Sequence, residues 1–180
     1  MSVLETDRLT LRRITVDDAE FILELLNEPS FLRFIGDKGV RTLADARNYI
    51  LNGPINSYEQ FGFGLYLTEL KDSAMPIGMC GLLKRETLDH VDIGFAFRPE
   101  FWGRGYGLEA AKATLIHGRD VFGLKRILAI TSPDNHGSIG LLEKLGFRFE
   151  RLMKLTEDTP PVKLLGIDHG LAELRLVSKV

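Results

Sequence analysis

Residues 98–111 read Arg-Pro-Glu-Phe-Trp-Gly-Arg-Gly-Tyr-Gly-Leu-Glu-Ala-Ala, and within them Gly103, Gly105 and Gly107 alternate. Glycine has no Cβ, so the backbone N–H groups of such a turn can come close to a ligand. The turn stands between a strand-like run and the most regular helical stretch of the chain. A helix start adds unpaired N–H donors and partial positive charge, which suits an anion. A phosphate or pyrophosphate is the natural guest, and a tight strand-to-helix connection with glycines chosen for packing is the other reading. Two nucleotide motifs are absent. A dinucleotide fingerprint needs glycine where Leu108 stands and an acid after the next strand, where the chain has Thr131-Ser132-Pro133. A Walker-type loop needs Gly-Lys before Ser or Thr, and the chain has no Gly-Lys pair.

Other chemistry-bearing residues are sparse. The single Cys80 cannot form an intrachain disulfide, and between Met79 and Gly81 it reads as a core thiol. Histidines at 90, 117, 136 and 169 lack paired ligand spacing, so no metal site is expected. Arg12-Arg13 and Lys84-Arg85 read as solvated pairs.

The elements that must hold the glycine turn follow from periodicity. Residues 9–14 alternate as a strand, and Thr15 caps a helix whose stripe is Ala19, Ile22, Leu23 and Leu26, with Pro29 just past its end. A loop over 31–39 leads to a second helix over about 43–53, capped by Thr42. Runs at 61–70, 77–83 and 91–97 read as an antiparallel meander. Residues 108–122 form a helix, 126–131 a strand covered on both faces, and 134–145 a helix ended by Gly146. Strands over 147–155 and 170–180 close the chain. The order predicts a mixed α/β fold with its ligand at the central strand-helix-strand-helix-strand passage.

The chain has 180 residues, 44% of them apolar and 27% charged, enough for one globular domain spanning 1–180. A net charge of −2 gives no general field for nucleic acid or an anionic membrane. No apolar run approaches the ~18 residues of a membrane span, and the N-terminus lacks a signal-peptide core. A cytoplasmic protein is expected.

Three strings resemble one family. Asp92-Ile93-Gly94-Phe95-Ala96-Phe97, continued by Phe101-Trp102-Gly103-Arg104-Gly105-Tyr106-Gly107-Leu108-Glu109-Ala110, looks like the acetyl-coenzyme-A motif of the GNAT acyltransferase superfamily. Asn135-His136-Gly137-Ser138-Ile139-Gly140-Leu141-Leu142-Glu143-Lys144-Leu145-Gly146-Phe147 resembles its following motif. The opening Glu5-Thr6-Asp7-Arg8-Leu9-Thr10-Leu11-Arg12 is similar to the Rim-type branch, which acetylates ribosomal-protein N-termini.

The resemblance implies a GNAT-like acyl-CoA N-acyltransferase fold: a central, mostly antiparallel sheet with a splayed strand pair, flanked by about four helices. It implies acetyl-CoA as cosubstrate and no metal. Its pyrophosphate would sit on Gly103, Arg104, Gly105, Tyr106, Gly107 and Leu108, with Trp102 a branch marker. The arm would run along Phe95, Ala96 and Phe97, where Gly94 suits a bulge, and would meet the Asn135 amide. A backbone N–H of this strand would face the oxyanion. Asp92 stands where many members carry a Glu that acts as base through water, and Glu86, Asp89 and His90 are alternatives; an outward strand residue in water is the other reading of Asp92. Ser138 matches a serine that assists the departing thiolate, because Leu142 replaces the tyrosine many members use. Each also has a plain structural reading, Ser138 as a helix residue and Asn135 as a cap.

These implications predict direct acetyl transfer to a primary amine in a ternary complex, most simply at a protein or peptide N-terminus. A small-molecule amine and a non-catalytic acyl-CoA sensor are the competing readings. Residues 31–39, the second helix and 155–169 would build the acceptor pocket, with Phe31, Phe34, Tyr58 and Phe61 as walls. The protein would be a monomer or homodimer, with no nucleic-acid or membrane partner.

Overall fold

The computed structural model describes residues 1–168, so the strand expected over 170–180 lies outside the described residues. The strands are β1 (Ser2–Glu5), β2 (Leu9–Arg13), β3 (Leu65–Leu70), β4 (Pro76–Leu83), β5 (Asp92–Phe97), β6 (Arg126–Thr131), β7 (Arg148–Met153) and β8 (Val162–Asp168). They form one sheet in the order β1-β2-β3-β4-β5-β6-β8-β7. Every neighbouring pair is antiparallel except β5 and β6.

Helices α1 (Ala19–Leu26), α2 (Pro29–Phe34), α3 (Leu43–Ile50) and α4 (Asn56–Phe61) precede β3, while α5 (Tyr106–Phe122) and α6 (His136–Lys144) flank β6 in the chain. Alternation along β3 divides the core. Leu65 and Leu67 pack with α1 and α3 through Ile22, Leu25, Ala46 and Ile50. Tyr66, between them, packs with α5 and α6 through Ala111, Leu115 and Leu142. Thr42 starts α3 with a reciprocal cap, its hydroxyl accepting from the Asp45 amide at 3.1 Å while the Asp45 carboxylate accepts from the Thr42 amide at 2.9 Å. Among the described residues no helix is long and apolar enough to cross a membrane.

The structure corrects several expected boundaries. Residues 31–39 are not all loop: Pro29 is the first residue of α2, a position that needs no amide donor, rather than a stop after α1. The second helix does not end at 53. It passes through a π-helical turn, Leu51–Ile55, into α4. Left-handed Gly62 ends α4 and delays β3 to Leu65. β1 was not foreseen. Nor was β8, which lies between β6 and β7 inside the stretch expected to be a connection.

Candidate active site

β5 and β6 share one register pair, Asp92 with Leu128, and the Leu128 amide donates to the Val91 carbonyl at 2.9 Å. Beyond that rung the strands part. Gly94, Phe95 and Ala96 are only half-buried although β5 is an interior strand, and Ile130 on β6 is likewise half-buried. On its other side β5 stays in unbroken register with β4, from Gly78 opposite Phe97 to Leu83 opposite Asp92. The bulge expected at Gly94 is therefore absent. Gly94 pairs with Gly81, and a Cβ there would stand 2.7 Å from Leu83 Cδ1, so glycine serves packing. Departure of β6 opens the cleft.

The glycine turn closes the open end of this cleft. Gly103 at φ +70° and Gly105 at φ +81° occupy left-handed backbone that a side chain would strain. Gly105 caps α5, whose first backbone bond runs from the Glu109 amide to the Gly105 carbonyl at 3.0 Å. The amides of Tyr106, Gly107 and Leu108 thus have no acceptor within the helix. Space beside Gly103 is open, with no atom within 4 Å of an added Cβ. Gly107 differs, because a Cβ there would lie 3.0 Å from Leu141 Cδ1 and 3.6 Å from the Phe97 ring. Its role is to let α5, α6 and the end of β5 meet. The half-exposed Trp102 indole donates to the Phe97 carbonyl at 2.9 Å, tying the turn to β5. The Arg104 guanidinium sits 5.8 Å from the Phe101 ring centre.

A brace that the sequence did not reveal holds this turn from outside. Arg8 donates from Nη1 to the Arg104 carbonyl at 3.0 Å and from Nε to Glu109 at 2.7 Å. Its guanidinium lies 4.5 Å from the Tyr106 ring centre, and the Thr6 hydroxyl donates to Glu109 at 2.6 Å. Thr6 and Arg8 belong to the opening string, but only the fold brings Glu109 to them.

At the closed end, Asp92 is 0% exposed, contrary to a solvated strand residue. Arg85 Nε stands 3.0 Å from each of its carboxylate oxygens. Burial pushes the Asp92 pKa up to about 6, against the downward pull of Arg85. The Arg85 charge also reaches Lys38, in the loop after α2, and Tyr49 on α3. Asp89 and His90, weighed as alternative bases, instead line a separate cavity of about 150 Å³ with Arg126, Glu150 and Arg151.

The parallel strands β5 and β6 end on the same side, so the start of α6 after β6 lies toward the glycine turn. Asn135 Oδ1 accepts from the Ser138 amide at 3.1 Å and caps α6. The Ser138 hydroxyl and the Asn135 amide nitrogen have no protein partner among the described residues. Leu142 is 1% exposed in the core and offers no acid. Cys80 is buried against Thr114, and burial pushes its thiol pKa up to about 12.

The four expected aromatic walls do not gather at one place, and Phe34 is half-buried with the Arg33 guanidinium 4.7 Å from its ring centre. Phe31 packs in the core with α1 and α3, and Tyr58 stacks on Tyr66 with ring centres 5.7 Å apart. Phe61 is exposed and stacks on Phe63 at 5.9 Å.

Residues 8–148 match the family described as the acetyltransferase (GNAT) domain. A Bacillus subtilis (strain 168) relative named as the uncharacterized N-acetyltransferase YoaA is 30% identical over 154 residues, covering 84% of this chain and 86% of that one. The crystal structure of a GNAT-family acetyltransferase from Bacillus anthracis superposes with a TM-score of 0.76 at 25% identity, covering 92% of this chain and 98% of that one. RimL, a ribosomal L7/L12 alpha-N-protein acetyltransferase solved with coenzyme A, shares the fold at a TM-score of 0.81 and 17% identity, covering 95% of this chain and 99% of that one.

Proposed function

The chain belongs to the GNAT acetyltransferase family and is an acetyl-transferring enzyme; on that premise we propose that its acceptor is the α-amino group of a protein or peptide N-terminus. The parted strands and the turn fit acetyl-CoA, which supplies an activated acetyl thioester when bound. The free amides of Tyr106, Gly107 and Leu108, together with left-handed Gly103 and Gly105, suit its diphosphate, with Arg104 and Trp102 alongside. The backbone of Phe95, Ala96 and Phe97 lacks a strand neighbour on the β6 side, so an extended arm can lie there as a further strand. Asn135 Nδ2 is the side-chain donor toward that arm.

In this reading Asp92 takes a proton from the acceptor ammonium. A backbone N–H of β5 donates to the carbonyl oxygen as charge develops. The Ser138 hydroxyl donates a hydrogen bond to the departing sulfur, sufficient for a thiol of pKa ~8.5. The amine attacks directly, since the buried Cys80 is no nucleophile.

One observation carries the choice of acceptor: a buried carboxylate titrating at about 6 at the closed end of the cleft. A peptide α-ammonium near ~8 lies roughly two units above it, and a lysine ammonium near ~10.4 roughly four. Asp92 is therefore matched to the first. The fold shared with RimL supports the same direction.

Thiol release from acetyl-CoA should be measured with peptides offering either a free N-terminus or only a lysine amine. Release with free N-termini alone is expected. Equal or greater release with N-terminally blocked lysine peptides would overturn the assignment.

A further inference from the structure

Glu109 puts a carboxylate in the first turn of α5, the turn whose amides are offered to the diphosphate. A negative charge there suits the empty helix end but opposes an anionic guest at the same place. Arg8 covers that charge. Its Nε and Nη2 both lie 2.7 Å from Glu109 Oε2, while Glu109 Oε1 accepts from the Arg8 amide at 3.0 Å and from the Thr6 hydroxyl at 2.6 Å. Arg8 is itself held in place. The Lys71 amide donates to the Arg8 carbonyl at 2.9 Å, and Lys71 Nζ donates to the Thr6 carbonyl at 3.2 Å.

The same guanidinium also fixes a direction, because its Nη1 donates to the Arg104 carbonyl at 3.0 Å. The peptide unit joining Arg104 to Gly105 is trans and planar, so its N–H points opposite to its carbonyl. With the carbonyl turned to Arg8, the Gly105 N–H is turned away from it, and that N–H has no acceptor among the described residues. Glycines at 103 and 105 leave this peptide plane easy to rotate, and Arg8 selects one orientation. We propose that Arg8 is a positioning residue for acetyl-CoA, acting through the turn: it aims the Gly105 N–H at the diphosphate and cancels the Glu109 charge that would repel it. The inference rests on the reading that the diphosphate lies on the glycine turn.

The experiment measures coenzyme-A affinity by titration calorimetry and follows the amide NMR signals of Gly105 and Gly107 in isotope-labelled protein. Wild type, Arg8→Met, Arg8→Lys, and Arg8→Met combined with Glu109→Gln are compared. In wild type both signals should move as coenzyme A binds. Arg8→Met should weaken binding by about tenfold or more, the worth of a charge-assisted hydrogen bond, and at saturation only the Gly107 signal should keep its full movement. Arg8→Lys keeps a charge beside Glu109 without the planar fork that also reaches the Arg104 carbonyl. It should regain part of the affinity and not the Gly105 movement. Glu109→Gln in the Arg8→Met background removes the uncovered carboxylate and should likewise regain part of the affinity. A lower melting temperature in Arg8→Met, with affinity and Gly105 movement still those of wild type, would overturn the proposal and leave Arg8 a structural tie. Wild-type binding that moves neither glycine signal would overturn the placing of the diphosphate itself, and this proposal with it.

Discussion

Asp92 and Leu128 face each other across the one rung that joins β5 to β6, and every later residue of β5 borders the cleft. The proposed base thus sits where the sheet stops being continuous. It is sealed from water by the strand pair behind it, while the backbone ahead is open to a guest.

In wild type, activity should rise with pH through about 6 as Asp92 ionises, and Asp92→Asn should remove that rise and lower kcat/KM by about 10²-fold. Stability changes as well. The folded pKa of about 6 exceeds the ~3.9 of an unfolded chain, so between those values the folded protein keeps a proton the unfolded chain has lost. This group's contribution to stability therefore falls as pH rises from about 4 to about 6 and is level above. Melting curves across that range should show the fall in wild type and not in the variant.

Asn135 can be separated into its two roles. Asn135→Asp keeps the oxygen that caps α6 but loses the amide donor, whereas Asn135→Ala loses both. Titration calorimetry with coenzyme A should show weaker binding for both variants. Only the alanine variant should also lose about 1 kcal/mol of stability. Ser138→Ala, which leaves the capped backbone amide in place, should lower kcat and hardly move the KM for acetyl-CoA.

Gly105→Val forces a branched side chain into left-handed backbone, with its Cβ 3.3 Å from Arg8 Nη2. A loss of about 1–2 kcal/mol and of coenzyme-A binding is expected. Gly123→Val is the control. At φ +65° it carries comparable strain at the far end of α5, in open space, and should lose stability while keeping affinity.

Tyr58→Phe should cost about 2 kcal/mol, because the hydroxyl accepts from the Ile14 amide at 3.0 Å and donates to the Leu65 carbonyl. Since Tyr58 lies in the core, kinetics with acetyl-CoA and acceptor should remain those of wild type.

What the sequence carried was local. β6 has the bounds read from its continuous apolar run, and α5 begins within two residues of its expected start. The left-handed glycines at 103 and 105 stand where their alternation had placed a close backbone approach. What it hid was tertiary. The apolar run of β8 is broken by Gly166, beside which lie the ends of the Glu150 and Arg126 side chains. Alternation in β5 could not show that Asp92 faces inward toward Arg85.

The brace between Arg8 and Glu109 has a consequence for the newborn chain. Its two ends are 101 positions apart, so at ~5–20 residues per second the ribosome delivers the second roughly 5–20 s after the first. Through that interval the N-terminal segment has no turn to hold, and the turn has not been made. A ligand stabilises only a state that can bind it. Coenzyme A therefore cannot rescue an early intermediate of this protein, and its stabilising effect begins only when synthesis has passed α5.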